Sequence, residues 1–202
     1  MELRAAGVAT KTQHDHPEIE IRVTTGFTAT TLQLLKEDEL DLGLCTLPIK
    51  DDANVFETVP LFADDLVAIL PPQPETVPEI ITPNFFEHSP MIFCNEQSAL
   101  CRMVTDWFER TGQAPKPVME FDHVEAIKNA VAVGLGSSII PNLAVKKLQV
   151  GEANVLVRPI SPGMLRQIGL VKIRSKHGTD AISTISEALQ ALRHSPPRSS
   201  SL

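Results

Sequence analysis

The order of apolar and polar residues predicts a strand–helix–strand unit in the first quarter of the chain. Residues 18–23 alternate polar and apolar side chains, which is the period of a strand with one buried face. The segment 30–39 places Leu32 and Leu35 on one helical face, and residues 40–45 form a second predicted strand. Because short turns join these elements, the pattern predicts a βαβ unit with parallel strands.

The same theme returns after a proline-rich segment. The apolar run 66–70 predicts a strand buried on both faces, and the prolines between 71 and 83 predict a surface connection between lobes. Strands are then predicted at 91–93, 118–121, 137–141, 155–157 and 168–173, and helices at 100–108, 124–131, 143–148 and from Asp180 to Leu192. Asp122 is a candidate cap for the helix over 124–131. Two α/β lobes are the expected architecture.

Composition and charge exclude several functional classes. The 202 residues are 43% hydrophobic, enough for a real core, and their net charge of −7 comes from dispersed groups without a basic cluster for phosphates. This chain alone is therefore not expected to bind DNA. No apolar stretch reaches the roughly 20 residues of a membrane helix, and no apolar signal segment follows Met1. The expected location is the cytoplasm.

Four strings of residues, in this order, resemble one family. They are H-P-E-I-E-I at 16–21, L-L-K-E-D-E-L-D-L-G at 34–43, P-L-F-A-D-D-L-V-A-I-L-P at 60–71, and E-A-I-K at 125–128 followed by V-G-L-G-S-S-I-I-P at 133–141. Together they resemble the C-terminal effector-binding domain of LysR-type transcription regulators. The N-terminal winged helix-turn-helix of such regulators has no counterpart here. Residues 1–16 do not match the family's first strand and helix, so that part of the first lobe is expected to be truncated or altered.

The resemblance implies a type 2 periplasmic-binding-protein-like α/β fold, in which two lobes are joined by two crossover strands. Lobe I would comprise residues 1–66 and 166–202, lobe II residues 67–165, and the tail 195–202 would be disordered. Such a domain binds a small metabolite, such as an organic acid, between its lobes. It acts as a homodimer or tetramer and reaches DNA only through a domain absent from this chain. No cofactor or metal is implied.

Six polar residues are candidate effector contacts because they stand where loops leave strand ends. Thr28 lies near the start of the first predicted helix, and Thr46 follows the strand at 40–45. The others are Asn95, Gln97 and Ser98, between a strand and a helix, and His123, after the strand at 118–121. Each has a structural alternative: Thr28, Asn95, Gln97 and Ser98 could cap or shape helix starts, Thr46 could be an ordinary loop residue, and His123 could be structural.

Two further functions are weighed against effector sensing. A solute-binding protein of a transport system shares the implied fold. An enzyme would need a nucleophile, metal or carboxylate constellation, and no G-x-S-x-G, H-E-x-x-H or P-loop string occurs, so catalysis is not expected. Cys45, Cys94 and Cys101 lack C-x-x-C spacing, which fits a reducing compartment. Cys94 and Cys101 could be activated by a helix start, although buried inert thiols are the favoured alternative.

Overall fold

Six α-helices and seven strands are present in a computed structural model that describes residues 2–49, 54–72, 77–114, 117–145, 154–175 and 178–194. The helices are α1 (Glu2–Asp15), α2 (Thr28–Lys36), α3 (Ala99–Glu109), α4 (Val124–Ala132), α5 (Asn142–Val145) and α6 (Asp180–Gln190). The strands are β1 (Gly43–Leu47), β2 (Phe56–Leu70), β3 (Met91–Cys94), β4 (Pro117–Phe121), β5 (Ser138–Pro141), β6 (Leu156–Pro159) and β7 (Leu165–Ile173). Short 3-10 helices lie at Pro83–Glu87 and Ala191–His194.

The chain divides into two compact units. Unit 1 consists of Met1–Ala63 and Gln167–Leu202, and unit 2 is the continuous segment Asp64–Arg166. The sequence places the corresponding lobe boundaries at 66/67 and 165/166. Both β2 and β7 continue across a unit boundary, so the chain enters and leaves unit 2 within regular strands.

Unit 1 is organised around the antiparallel pair of β1 and β7. The register runs from Gly43 opposite Val171 to Leu47 opposite Gln167. Because successive side chains of a strand point to opposite faces, neighbouring residues of β7 supply two apolar clusters. Val171 packs with Leu35, Cys45 and Phe56, whereas Leu170 packs with Leu61 and Leu189. At Gly43 an added Cβ would lie 2.7 Å from Cγ2 of Thr31, so the close packing of α2 on β1 requires glycine here.

The predicted strand at 18–23 is wrong. The backbone from Ile19 to Phe27 is irregular, although Ile19 is buried and Val23 is 60% exposed, so the alternation of apolar burial is only partly kept. Alternation supplies two faces, but a strand also needs a neighbour for its backbone hydrogen bonds, and the described residues pair no strand with this segment. Hence the parallel βαβ unit is wrong too, since β1 pairs antiparallel with β7.

Helix α1 has no counterpart among the predicted elements. Its residues carry few large apolar side chains, and Val8 packs at the edge of the Leu61–Leu170–Leu189 cluster. The helix packs against α6. A short polar helix of this kind gives almost no periodic signal in the sequence, and its stability comes from tertiary packing.

Unit 2 is built on the second half of β2. All five residues from Leu66 to Leu70 are buried, as the apolar run predicts, because β5 pairs with one edge of this strand and β6 with the other. The strands β3 and β4 form a separate parallel pair. Helix α3 contributes Trp107 and Phe108, whose rings meet edge to face at 5.0 Å between centroids. The indole Nε1 of Trp107 donates a hydrogen bond of 2.6 Å to the carbonyl of Pro162.

The remaining predicted elements of this half of the chain are confirmed with shifts of a few residues at their ends. Of the helix predicted over 143–148, the structure shows Asn142–Val145, and residues 146–148 lie outside the described residues. Residues 73–76 of the proline-rich connection and the tail 195–202 also lie outside them. In the part of the chain that is described, no helix combines the length and apolarity needed to span a membrane.

Candidate functional site

The carboxyl ends of β3 and β4 bring two polar turns of unit 2 together. The strands are parallel, with Cys94 opposite Phe121, so the residues that follow them emerge at the same edge. Asn95 follows β3. Its backbone N–H continues the strand pairing by donating to the carbonyl of Phe121 at 3.1 Å. Asp122 holds the equivalent position after β4. Helices α3 and α4 also begin at this edge, at residues 99 and 124.

The Asn95 side chain ties these two turns to each other. Its Nδ2 donates to Oδ1 of Asp122 at 2.8 Å, and its Oδ1 accepts the backbone N–H of Gln97 at 2.9 Å. The Asn95 carbonyl accepts the N–H of Ser98 at 2.9 Å. Asn95 is therefore a shaping residue of the site. The side chain of Gln97, by contrast, is exposed, and the described residues show no hydrogen bond from it.

Ser98 caps helix α3. It has extended backbone angles, and its hydroxyl oxygen accepts the N–H of Leu100 at 3.1 Å. The capping role considered from the sequence is thus confirmed, and the same side chain is also hydrogen-bonded to Cys94, whose thiol pKa it lowers against the larger effect of burial. Arg102 lies on the next turn and donates from Nη1 to the carbonyl of Gln97 at 3.2 Å. This guanidinium is the exposed cation nearest to the turn in sequence.

His123, not Asp122, holds the N-cap position of α4. Its imidazole is exposed and makes no capping hydrogen bond, and within the described residues no other side chain is shown to accept from the amides of the first turn of α4. The predicted cap at Asp122 is wrong, because Asp122 lies one residue before the N-cap, and its carboxylate accepts the side-chain amide of Asn95. Asp122 lies at this edge, although the sequence analysis does not name it among the candidate contacts. The signal was present, since Asp122 follows its strand as Asn95 follows β3.

In unit 1, Thr28 is the first residue of α2 and does not cap it. The N-cap is Phe27, which offers no side-chain acceptor. The half-buried Thr28 hydroxyl is hydrogen-bonded to the thiol of Cys45 and lowers its pKa slightly against the larger effect of burial, which raises that pKa to about 12. Thr28 thus has a packing partner on β1.

Thr46 lies within β1 and not after it, opposite Ile168 of β7. The predicted strand ended one residue before it, at Cys45. Because neighbouring side chains of a strand point to opposite faces, Thr46 points away from the face on which Cys45 meets Thr28. The structure therefore does not bring Thr28 and Thr46 together.

One cavity of about 190 Å³ is described in unit 1, between α6 and the end of β7. Its lining includes Lys172, Ile182, Ser186 and Gln190, and none of the six predicted contact residues. Sites for drug-sized ligands commonly enclose about 300–1,000 Å³, so this cavity is small for an effector site. Among the residues that the structure describes, no three His, Cys, Asp or Glu side chains are grouped to hold a metal ion.

Burial argues against activated thiols at Cys94 and Cys101. Burial raises the pKa of Cys94 to about 12 and also raises that of Cys101, and the two thiols hydrogen-bond to each other. The thiolate is the reactive form of cysteine, so a raised pKa suppresses reactivity. The raised pKa values favour the alternative of buried, inert thiols.

Nearly the whole chain matches one protein family. The family model described as the LysR substrate binding domain matches residues 4–193. The chain belongs to this LysR family. The resemblance seen in the four sequence strings is thereby confirmed, and the match begins within α1, the helix that the sequence pattern did not reveal.

Two curated relatives are transcription regulators. CzcR of Bacillus subtilis (strain 168) is 23% identical over 145 residues, which cover 72% of this chain and 47% of the relative. The uncharacterized regulator YeiE of Escherichia coli (strain K12) is 26% identical over 178 residues, which cover 87% of this chain and 59% of the relative. Both are described as HTH-type. This LysR domain spans roughly half the length of these relatives.

Two solved structures share the fold. The effector-binding domain of QuiR, in complex with shikimate, superposes with a TM-score of 0.79 at 20% identity, covering 94% of this chain and 90% of that domain. The regulatory domain of CcmR from Synechocystis PCC6803, in complex with 2-PG, gives a TM-score of 0.85 at 17% identity, covering 95% and 92%. The predicted fold class, an α/β periplasmic-binding-protein-like fold of type 2, is confirmed.

Proposed function

We propose that this LysR domain senses a small metabolite on behalf of a transcription regulator. The observation that carries the proposal is the family match over residues 4–193, and the relatives' description as transcription regulators favours it over a transport solute-binding protein. DNA would be read by another part of a longer protein, in the cytoplasm, and the domain would assemble as a homodimer or tetramer. A catalytic role is not proposed.

The proposed effector is a hydroxylated organic acid. A carboxylate would accept hydrogen bonds from the uncapped amides at the start of α4 and from nearby cationic or neutral donors such as His123. A hydroxyl would donate to Asp122, whose carboxylate has acceptor capacity beyond its bond with Asn95. The Asp122 carboxylate would also repel an anionic effector that has no hydroxyl to donate to it. The shikimate bound by QuiR belongs to this chemical class.

Gln97, Ser98 and His123 are the proposed direct contacts in unit 2, and Asn95 holds their turns in place. Thr28 and Thr46 remain proposed contacts of unit 1, although they lie on opposite faces of β1. The Thr28 hydroxyl oxygen keeps acceptor capacity for a ligand donor beside its bond with the Cys45 thiol.

Calorimetric titration with matched variants tests the proposal. The purified chain is first screened by thermal shift against hydroxy acids, shikimate among them, and the hits are titrated. Gln97→Ala and His123→Ala should weaken binding about tenfold, a loss of about 1.4 kcal/mol, without lowering the melting temperature. Gln13→Ala on α1 and His88→Ala after the first 3-10 helix are controls, because both side chains are exposed elsewhere. Equal binding by all four variants would contradict the site.

A further inference from the structure

Two ion pairs connect β2 and β7, and they differ in burial. Near one end, Glu57 and Lys172 approach to 3.3 Å with 40% and 35% of their side chains exposed. Near the other end, Asp64 and Arg166 approach to 3.0 Å with 2% and 11% exposed. An exposed pair contributes little to stability, whereas loss of one partner from a buried pair leaves a charge uncompensated. Loss of one partner is therefore expected to matter more in the Asp64–Arg166 pair than in the exposed pair.

Asp64 also holds a third element. While Oδ2 of Asp64 binds Nη2 of Arg166, Oδ1 accepts the backbone N–H of Leu143 at 3.1 Å, near the start of α5. The other end of α5 receives Nζ of Lys128, which donates to the carbonyl of Ala144 at 3.2 Å. One buried carboxylate thus joins a residue of β2, a residue of β7 and the first turn of α5.

The position of this pair in the chain is equally specific. Asp64 is the first residue of unit 2 and Arg166 is the last, so the pair joins the points where the chain enters and leaves that unit. A backbone bond of 3.0 Å from the N–H of Leu66 to the carbonyl of Met164 lies just inside it. The buried Nε of Arg166 has no acceptor among the described residues. A partly satisfied buried network is easier to open than a fully satisfied one.

We propose that Asp64 and Arg166 form a latch that makes the entry strand, the exit strand and α5 open together as one local unit. When the latch is closed, the carboxylate is fixed between the guanidinium and the Leu143 amide. When the guanidinium leaves, the carboxylate loses its charge partner and turns toward water, and it releases α5 as it does so. Helix α3 and the pair β3–β4 stay folded, because neither Asp64 nor Arg166 belongs to the core cluster that these elements share. Leu66 and Val145, at the boundary of the opening segment, do belong to it.

Native-state hydrogen exchange of the whole chain tests the coupling without any substitution. The amides of Leu66 and Leu143 should show the same opening free energy and the same dependence on low denaturant concentrations. Both amides should exchange more readily than the amide of Ile92, which donates a hydrogen bond to the carbonyl of Ser137, the residue before β5. Separate opening curves for Leu66 and Leu143, or curves that coincide with that of Ile92, would overturn the proposal.

Substitutions then assign the coupling to the ion pair. Arg166 makes no contact with α5 of its own in the bonds described, yet Arg166→Gln should speed exchange at Leu143 at least about tenfold, with less than about twofold change at Ile92. Arg166→Lys keeps the positive charge and should stay close to the parent chain. Lys172→Gln, on the same two strands, is the matched control and should leave Leu143 unchanged. If Arg166→Gln spares Leu143, the two bonds of Asp64 are independent and the latch is refuted.

Discussion

At the scale of single residues, the three thiols show how burial changes the chemistry of a side chain. Cys45 is 1% exposed, Cys94 and Cys101 are 6% exposed, and burial raises the pKa of each. The sequence could locate Cys94 and Cys101 near a helix start but could not give the depth of any of the three thiols, since depth depends on packing between distant segments. Burial disfavours the charged thiolate, and at Cys94 it outweighs the hydrogen bonds that lower the pKa.

The raised pKa of Cys45 predicts a pH dependence of stability. Its ordinary value is 9.0 and its folded value is about 12. Between these values the unfolded chain has lost a proton that the folded chain keeps, so stability falls as pH rises, by up to about 1.4 kcal/mol per pH unit. Below pH 9 both states are protonated and this thiol contributes no pH dependence. Denaturant unfolding under reducing conditions from pH 8 to 11 should give a shallower decline for Cys45→Ala; an equal slope would contradict the account.

Gly136 is predicted to be intolerant of a side chain. An added Cβ would lie 2.6 Å from the carbonyl oxygen of Pro90 and 3.2 Å from Cγ1 of Ile92. Backbone cannot yield as a flexible side chain can, so Gly136→Ala should destabilise unit 2 by about 1–3 kcal/mol. Gly163→Ala is the control, because a Cβ there meets nothing within 4 Å. Thermal unfolding followed by Trp107 fluorescence provides the measurement. A stability for Gly136→Ala equal to that of the control would show that the turn has more room.

At the scale of elements, the sequence predicts those that carry their own signal and misses those that depend on neighbours. Helix α3 has an apolar stripe from Leu100 to Phe108, and the last five residues of β2 form a continuous apolar run. The sequence predicts this helix and this part of β2 correctly. The segment 18–23 has strand alternation but no partner, and α1 has partners but no stripe. Helix starts follow the same division. The Ser98 cap is a local bond to the Leu100 amide, whereas Asp122 accepts a hydrogen bond from Asn95, which lies in a different turn.

The cap of α3 gives a prediction at this scale. Ser98→Ala removes the acceptor for the Leu100 amide and should lower the free energy of unfolding by about 1 kcal/mol. Ser98→Asp restores an acceptor and adds a favourable charge at the helix start, so its stability should match that of the parent chain. Thr82→Ala precedes the 3-10 helix Pro83–Glu87, where no side-chain cap exists, and should change stability by less than about 0.5 kcal/mol. Equal losses at Ser98 and Thr82 would contradict the capping role.

At the scale of the whole molecule, the order of four short strings led to the family, and the family led to the fold. Each string indicates a local structural requirement, such as the positive φ angles of Gly134 and Gly136 in a tight turn. The fold class follows from the order of the strings along the chain. The candidate site was predicted less completely. The sequence located the turns after β3 and β4, but the Asn95–Asp122 bond joins residues 27 positions apart and depends on the parallel pairing of two strands. The separation of Thr28 from Thr46 depends likewise on a strand register that only the folded chain shows.

Mapping of amide chemical shifts in the ¹⁵N-labelled chain, titrated with the hydroxy acids of the screen, tests the central claim most directly. The account predicts saturable shifts confined in unit 2 to the turn from Asn95 to Leu100 and to the start of α4 at His123–Ala126, because those amides would meet the effector. Shifts confined to the cavity residues Ser186 and Gln190 on α6, or no saturable shift with any compound of the screen, would contradict it.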